Sequence, residues 1–420
     1  GHLSQHWTYT LQHVSLNDST VTTKSAIGEN WKEGGEYYFT NILDEIDMPG
    51  ESYTDTENKI VYFYGYGDME NPEVIAPTSK SAFFSIIRST NITFRGIDFA
   101  HTRSKIFDVY DGHGITIDDC DMSHFMDRNY FYADHSVLKN CYIYGAALVM
   151  INWQDFNRKA LDPALIVKED GAENVMENNR CNLGNVLKYY DAPATTVRQS
   201  KGMVIRNNNL YNSPHCALGA GTSADMLITK NKIYNNAKWT GDMGAIYWNT
   251  NAGLFGREIS YNYFENNASS YANGWAQSVF WDDIATGPWI HHNVFNKGTL
   301  ATSEGGTKMA LKSYGGSFAL VENNIFVDNP YGAQFQTYYP YGEGHKQTGW
   351  WLSLYGKAAD GTHGASYTES NWKSVGAQIS DPKNAEKYKG TPWEGFFDVF
   401  NIDFYNKNLK DLDRNKDKAA

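Results

Sequence analysis

The stretch Asn231-Lys232-Ile233-Tyr234-Asn235 decides the fold, because variants of it return along the middle of the chain. Clear copies begin at Asn208, Asn262, Asn293 and Asn324, and weaker ones begin at Gly96, Asp119, Asn140 and Asn179. Positions 231, 262, 293 and 324 are each 31 residues apart, and 23 residues separate 208 from 231. The copies are short, β-branched or aromatic, and bounded by turn-forming residues, which indicates several short strands per repeat.

A repeat of variable length around a fixed turn residue predicts a parallel β-helix of at least seven coils, one repeat per coil. The rival is a β-propeller, whose blades keep a tighter period of about 40–45 residues. In a β-helix the turn asparagine tolerates a left-handed backbone, and its amide bonds the same amide in the next coil. The second residue after each asparagine then forms an internal apolar file: Leu210, Ile233, Phe264, Phe295 and Phe326.

The two ends of the chain do not repeat. Residues 1–85 contain hairpin-like stretches, such as residues 59–64 after a turn at 55–58. The segment from about residue 335 onwards is rich in Tyr, Trp and Gly. We therefore predict an all-β chain in three parts: a β-hairpin region (1–85), a parallel β-helix (86–335) and an irregular, aromatic-rich C-terminal segment (336–420).

Composition excludes several functional classes. Among 420 residues, 36 are Lys or Arg and 48 are Asp or Glu, without a basic stripe, so nucleic acid is a poor partner. No apolar run approaches the roughly 20 residues of a membrane span.

Four cysteines without CxxC spacing predict buried, reduced thiols, with Cys120 and Cys141 stacked on adjacent coils. The 15% of aromatic residues fits either a sugar-binding protein, because a flat ring covers a pyranose face, or packing of these rings in the core.

Three motifs resemble the right-handed parallel β-helix glycoside hydrolases, which include β-xylosidase, fucosidase-type and lacto-N-biosidase families. Tyr37-Tyr38-Phe39-Thr40-Asn41, with Leu43-Asp44 and Pro49-Gly50-Glu51, resembles their entry hairpin. Gly241-Asp242-Met243-Gly244-Ala245-Ile246-Tyr247 resembles their Asp-x-Gly-Ala-Ile-Tyr strand. Phe280-Trp281-Asp282-Asp283, with Gly287, resembles their Tyr-Leu-Asp-Asp segment on the next coil. The resemblance covers about residues 36–330.

The resemblance implies a right-handed helix and an extracellular or cell-surface bacterial enzyme that cleaves an oligosaccharide. It implies that Asp242 and either Asp282 or Asp283 are the catalytic carboxyl groups. No cofactor is implied, although acidic turns could hold a structural calcium ion. The group carries more β-helix before the entry hairpin, so an N-terminal domain or companion subunit beyond this chain is expected.

The spacing of these carboxylates leaves two interpretations open. Hydrolysis needs two carboxyl groups about 5–5.5 Å apart for retention or 6.5–9.5 Å for inversion, and strands stack about 4.8 Å apart. Aligning Ala245-Ile246-Tyr247-Trp248 with Ser278-Val279-Phe280-Trp281 places Asn249 beside Asp282. Along a straight strand, Asp242 then lies roughly 20 Å from the level of Asp282, unless the segment from Gly241 to Gly244 bends inward.

In the first interpretation, Asp242 pairs with Asp282 or Asp283 across a bent strand. In the second, position 249 is the partner of Asp282, and its amide makes the chain an inactive variant. The lacto-N-biosidases of the group support this second interpretation, since they use two Asp residues seven positions apart, the spacing of 242 and 249.

The strands beside these acids carry Tyr247, Trp248, Phe280 and Trp281. Alternation sends half of them inward, so at least two should face outward, either as a platform for sugar or under cover from the C-terminal segment. His215 begins the preceding strand and either binds a sugar hydroxyl or is a structural histidine.

The best single hypothesis is a lacto-N-biosidase that releases lacto-N-biose from milk-type or host glycans. A β-xylosidase or fucosidase-like hydrolase of plant glycans is the next. A polysaccharide lyase is an alternative, but it usually presents a basic groove, and the strands nearest the motif hold no Arg-Lys cluster. The last alternative is a non-catalytic glycan-binding solenoid.

Overall fold

The computed structural model describes residues 9–15, 19–26, 39–67, 74–155, 172–184, 194–198, 200–221, 223–249, 256–267, 275–282, 285, 287–297, 309–314, 319–329, 331–336, 386, 389–391 and 394. Nearly all of the regular structure is β-strand, and Leu43–Glu45 form a 3-10 helix. Within these ranges no helix is long and apolar enough to cross a membrane. The described residues divide into two compact units, with the boundary between Pro77 and Thr78.

The first unit contains two antiparallel hairpins. Strand β1 (Leu11–Ser15) pairs with β2 (Thr20–Thr23), and β3 (Ser52–Asp55) pairs with β4 (Ile60–Phe63). The Asp55 carboxylate accepts hydrogen bonds from the backbone N–H groups of Glu57 (3.0 Å) and Asn58 (2.9 Å), which closes the turn between β3 and β4. The hairpin predicted around residues 55–64 is therefore confirmed.

The second unit consists of three long parallel sheets and one two-stranded sheet. Sheet 1 has ten strands: β5 (Phe84–Ile87), β8 (Phe107–His113), β11 (Asn129–Asp134), β14 (Ile151–Gln154), β17 (Thr195–Arg198), β21 (Leu218–Gly219), β25 (Asp242–Asn249), β28 (Trp275–Asp282), β31 (Met309–Tyr314) and β34 (Tyr331–Gln336). Sheet 2 has nine: β6 (Thr93–Arg95), β9 (Thr116–Asp118), β12 (Val137–Lys139), β15 (Val175–Glu177), β19 (Val204–Arg206), β23 (Leu227–Thr229), β26 (Glu258–Ser260), β29 (Trp289–His291) and β32 (Leu320–Glu322). Sheet 3 also has nine: β7 (Asp98–Thr102), β10 (Asp121–Phe125), β13 (Tyr142–Tyr144), β16 (Arg180–Asn182), β20 (Asn209–Tyr211), β24 (Lys232–Tyr234), β27 (Tyr263–Glu265), β30 (Val294–Asn296) and β33 (Ile325–Val327). The small sheet pairs β18 (Ser200–Lys201) with β22 (Ser223–Ala224).

The chain visits sheets 1, 2 and 3 in turn, and each strand pairs in parallel with its counterpart in the next repeat. This all-β arrangement is consistent with the predicted parallel β-helix, and its nine-stranded sheets exceed the predicted minimum of seven repeats. Sheet 1 begins at Phe84, two residues before the predicted boundary, and its last described strand ends at Gln336. Most of the predicted C-terminal segment lies outside the described residues.

An asparagine ladder runs between sheets 2 and 3, as predicted. The Nδ2 amide of Asn231 donates to Oδ1 of Asn262. The same bond joins Nδ2 of Asn262 to Oδ1 of Asn293 and Nδ2 of Asn293 to Oδ1 of Asn324, and each of the three distances is 3.0 Å. The backbone N–H of each donor residue also bonds the same oxygen, at 2.8–2.9 Å. One side chain thus satisfies two buried donors per repeat.

The predicted left-handed backbone lies one position earlier than we expected. Lys230, Tyr261 and His292, which precede ladder asparagines, have φ values of 57°, 55° and 54°. The carboxamide is needed for the inter-repeat bonds, so the neighbouring residue makes the turn. Asp119 and Asn140 also have a left-handed backbone. The backbone N–H of Cys141 donates to Asn179 Oδ1 at 2.9 Å, as the N–H of a ladder asparagine does, so Cys141 occupies a ladder position.

The internal apolar file and the buried thiols are confirmed. Leu210, Ile233, Phe264 and Phe295 are at most 2% exposed, and the Phe264 and Phe295 rings stack 4.7 Å apart, whereas Phe326 in the last repeat is 37% exposed. All four cysteines are free and buried: Cys120, Cys141, Cys181 and Cys216. Cys120 and Cys141 lie on adjacent repeats, since the Tyr142 N–H donates to the Cys120 carbonyl.

Candidate active site

Strand β25 bends at Gly244. Ala245 and Ile246 are consecutive, yet both belong to the buried core, which a straight strand with alternating side chains does not allow. A Cβ atom on Gly244 would collide with the Ile246 carbonyl oxygen and lie 2.8 Å from the Phe280 backbone nitrogen. Because the chain turns here, the distance of roughly 20 Å for a straight strand does not apply to Asp242.

Beyond the bend, a polar group forms on the face of sheet 1 that points away from the core. Tyr247, Phe280 and Lys312 are register neighbours on β25, β28 and β31. The Tyr247 hydroxyl donates to Asp282 Oδ2 at 2.9 Å. The Lys312 ammonium lies 4.8 Å from the centroid of the Phe280 ring and 5.7 Å from that of Tyr314. Lys312 is thus held against two aromatic rings beside the carboxylate of Asp282.

Lys312 connects the two predicted carboxylates electrostatically. Its side chain is 1% exposed, and this burial lowers its pKa, because desolvation penalises the ammonium form. The negative charges of Asp242 and Asp282 oppose that shift and raise the pKa of Lys312 again. The structure therefore brings Asp242 and Asp282 within electrostatic reach of one buried lysine.

Asn249 lies where the alignment placed it, in register beside Asp282 at the end of β25. Its side chain is half-buried, and Asp282 is 8% exposed. Asp283 lies outside the described residues. The bend favours the first interpretation and the register fits the second, so both remain predictions about the catalytic partner of Asp282.

The predicted substrate-binding role of Trp248 and Trp281 is wrong. Both are 0% exposed in the core, where their rings stack at 6.2 Å. After the bend, alternation sends Ile246 and Trp248 inward and Tyr247 outward. Phe280 faces outward but is only 1% exposed, which leaves Tyr247 as the one of the four predicted aromatic side chains that has accessible surface.

His215 is 3% exposed, which favours its structural interpretation over contact with a sugar hydroxyl.

Lys312 is the residue that the sequence reasoning missed. A signal was present in Met309-Ala310-Leu311-Lys312-Ser313-Tyr314, where a lysine interrupts an apolar strand. Aligning this strand with Val279-Phe280-Trp281 would have placed Lys312 beside Phe280.

A separate groove lies on sheet 3, away from the carboxylates. Its volume is about 530 Å³, and it is lined by Lys232, Tyr234, Asn235, Glu265, Asn266, Lys297 and Asp328. The Tyr234 ring stacks on Tyr211 at 4.8 Å, and Lys232 lies 4.7 Å from the Tyr234 centroid. This groove offers one aromatic ring and mixed charges suited to binding, but both of its lysines are exposed.

Comparison of the chain with models of protein families, with curated proteins and with solved structures finds no match.

Proposed function

We propose that the protein is a glycoside hydrolase on a right-handed parallel β-helix, with Asp242 and Asp282 as its two catalytic carboxyl groups. The observation that carries this proposal is the group formed by Tyr247, Asp282 and the buried Lys312 on neighbouring strands, in which the negative charges of Asp242 and Asp282 both raise the pKa of Lys312. A positive charge near two acids lowers the cost of holding them close together, as the transition state of glycoside hydrolysis requires.

The contacts suggest different roles for the two acids. The Tyr247 hydroxyl donates to Asp282, and such a bond favours the ionised carboxylate. Asp282 is then the nucleophile, or the base that activates water, on one side of the anomeric carbon. Asp242 is then the second carboxyl group of the pair.

The proposed substrate is the end of an oligosaccharide, with lacto-N-biose release from milk-type or host glycans as the first choice. A β-xyloside or fucoside is the alternative. Tyr247 supplies a ring edge and a hydroxyl next to Asp282, which suits contact with one terminal sugar. An extracellular or cell-surface bacterial setting belongs to the same proposal.

One observation favours a second candidate, a polysaccharide lyase. A lyase removes the proton next to a uronate carboxylate, and a buried lysine with a lowered pKa is suited to that role. In this case Lys312 is the base, and the two Asp residues orient the sugar.

The test is incubation of the full chain with milk-type, xylan-derived and uronate oligosaccharides, followed by mass spectrometry. Addition of water to the products supports the hydrolase, and an unsaturated product supports the lyase. The absence of any product from both the parent chain and its Asn249→Asp variant contradicts both.

Variants then assign the residues. Asp242→Asn and Asp282→Asn should each lower turnover about 10²–10⁴-fold or more, whereas Asp121→Asn, at an exposed position on β10, should leave it unchanged. Under the second interpretation, Asn249→Asp raises activity by orders of magnitude. Undiminished turnover in both Asp242→Asn and Asp282→Asn would remove the pair from the mechanism.

A further inference from the structure

We propose that His113, Asp134 and His135 bind a divalent first-row transition metal ion such as Zn²⁺. One ring nitrogen from each histidine and one carboxylate oxygen of Asp134 lie within 4.8 Å of one another. Two imidazoles with a carboxylate form a donor set that such ions prefer.

The backbone holds these three residues in place. His113 ends β8 and Asp134 ends β11, and the two are register partners in sheet 1. The Gly114 N–H donates to the Asp134 carbonyl at 3.0 Å, and the His135 N–H donates to the Ala172 carbonyl at 2.6 Å. The Cα positions of the three ligands are therefore set by the sheet, which lowers the entropy lost on binding an ion.

A left-handed turn brings adjacent side chains to one side. His135 has a φ of 48°, which interrupts the alternation that would otherwise separate its side chain from that of Asp134. As a result, Asp134 Oδ1 contacts His113 Nδ1 at 2.7 Å, and the two histidine rings lie 4.9 Å apart between centroids.

Glu173 provides a further oxygen. Its Oε2 lies 3.4 Å from His135 Nδ1, so it can complete the coordination or orient that ring. The four side chains are 40–70% exposed and free to adjust by the small amount that ligands about 3.5 Å apart around a zinc ion require. The metal would clip together neighbouring repeats of the solenoid.

This site is independent of the proposed hydrolase site. Five strand spacings of sheet 1 separate β8 from β25, which amounts to roughly 24 Å. Loss of the metal should therefore weaken the stability of the first repeats without removing the carboxylates from their positions.

The experiment uses the full chain after treatment with a chelator. Calorimetric titration with Zn²⁺ should give one site that His113→Gln, His135→Gln and Asp134→Asn each weaken more than about tenfold. The matched control is His124→Gln, because His124 stacks on His101 at 4.8 Å and is also exposed. That variant should bind like the parent.

Co²⁺ gives an independent readout, since its visible absorption reports nitrogen and oxygen coordination and should disappear in the same three variants. Circular dichroism checks that each variant is folded, which the exposure of the side chains leads us to expect. The proposal is overturned if the parent binds no Zn²⁺ or if the three variants bind it as the parent does.

Discussion

The asparagine ladder and the bend at Gly244 show two different uses of the same repeat. In the ladder, each amide makes the same bonds to the next repeat, all between neutral groups. At the bend, one glycine, two carboxylates and a buried lysine occur in neighbouring repeats. The ladder keeps the repeats in register, so sheet 1 can hold charges that contribute little to stability.

Electrostatics separates the two regions further. A buried neutral amide with all its bonds made costs little, whereas a buried ammonium group stays charged only if acids lie near it. Lys312 has Asp242 and Asp282 for this purpose. We expect the ladder to respond to mutation mainly through stability and the bend mainly through activity.

The largest effect on stability is expected inside the ladder. Asn262→Ala removes the oxygen that accepts from both the N–H and the Nδ2 of Asn231, which leaves two buried donors unpaired. At about 1–3 kcal/mol per buried donor, the free energy of unfolding should fall by about 3 kcal/mol. Urea denaturation measures it. Asn324→Ala, at the part-buried end of the ladder, should cost clearly less, and equal losses would show that the ladder does not act through burial.

Gly244→Ala tests the bend. The new methyl group meets backbone atoms of Ile246 and Phe280, which cannot move aside as a flexible side chain would. Unfolding free energy should fall by about 2 kcal/mol, and activity should fall with it as Asp242 is displaced. The control is Gly221→Ala, where an added Cβ has no atom within 4 Å. Similar thermal midpoints for both variants would contradict the bend.

Alkaline pH tests the cysteine that takes the ladder position. Burial raises the pKa of Cys141 to about 12, from 9.0 in the unfolded chain. Between these values the native state keeps a proton that the unfolded state has lost, so stability falls as pH rises. This thiol should account for about 1 kcal/mol of the loss between pH 9 and 10. Urea midpoints at both pH values should show a shallower dependence in Cys141→Ala, and identical dependences would refute the assignment.

The smallest effect is expected at the left-handed residue before the ladder. Lys230 is exposed and has a φ of 57°, so Lys230→Gly should relieve backbone strain and stabilise the protein by about 0.5 kcal/mol. The same change at Lys232, in strand β24, should destabilise it. If thermal unfolding shows the same sign for both variants, the turn is not under strain.

The repeat pattern alone predicted the parallel sheets, the ladder from Asn231 to Asn324, the apolar file and the register that sets Asn249 beside Asp282. These features depend on a period that is visible in one dimension, because equivalent residues stack at a fixed distance. The hairpin at 55–64 and the buried thiols were equally local predictions.

Other features were decided only by the folded chain. The bend at Gly244 resets which side chains point inward, so Trp248 and Trp281 enter the core although a linear pattern could not tell them from Tyr247. Lys312 joined the site because its strand lies next to β28 and because burial weakens its hold on a proton. The direction of a side chain after a bend and the electrostatics of a buried charge both depend on neighbours about 30–70 residues away in sequence, and a local pattern does not contain that information.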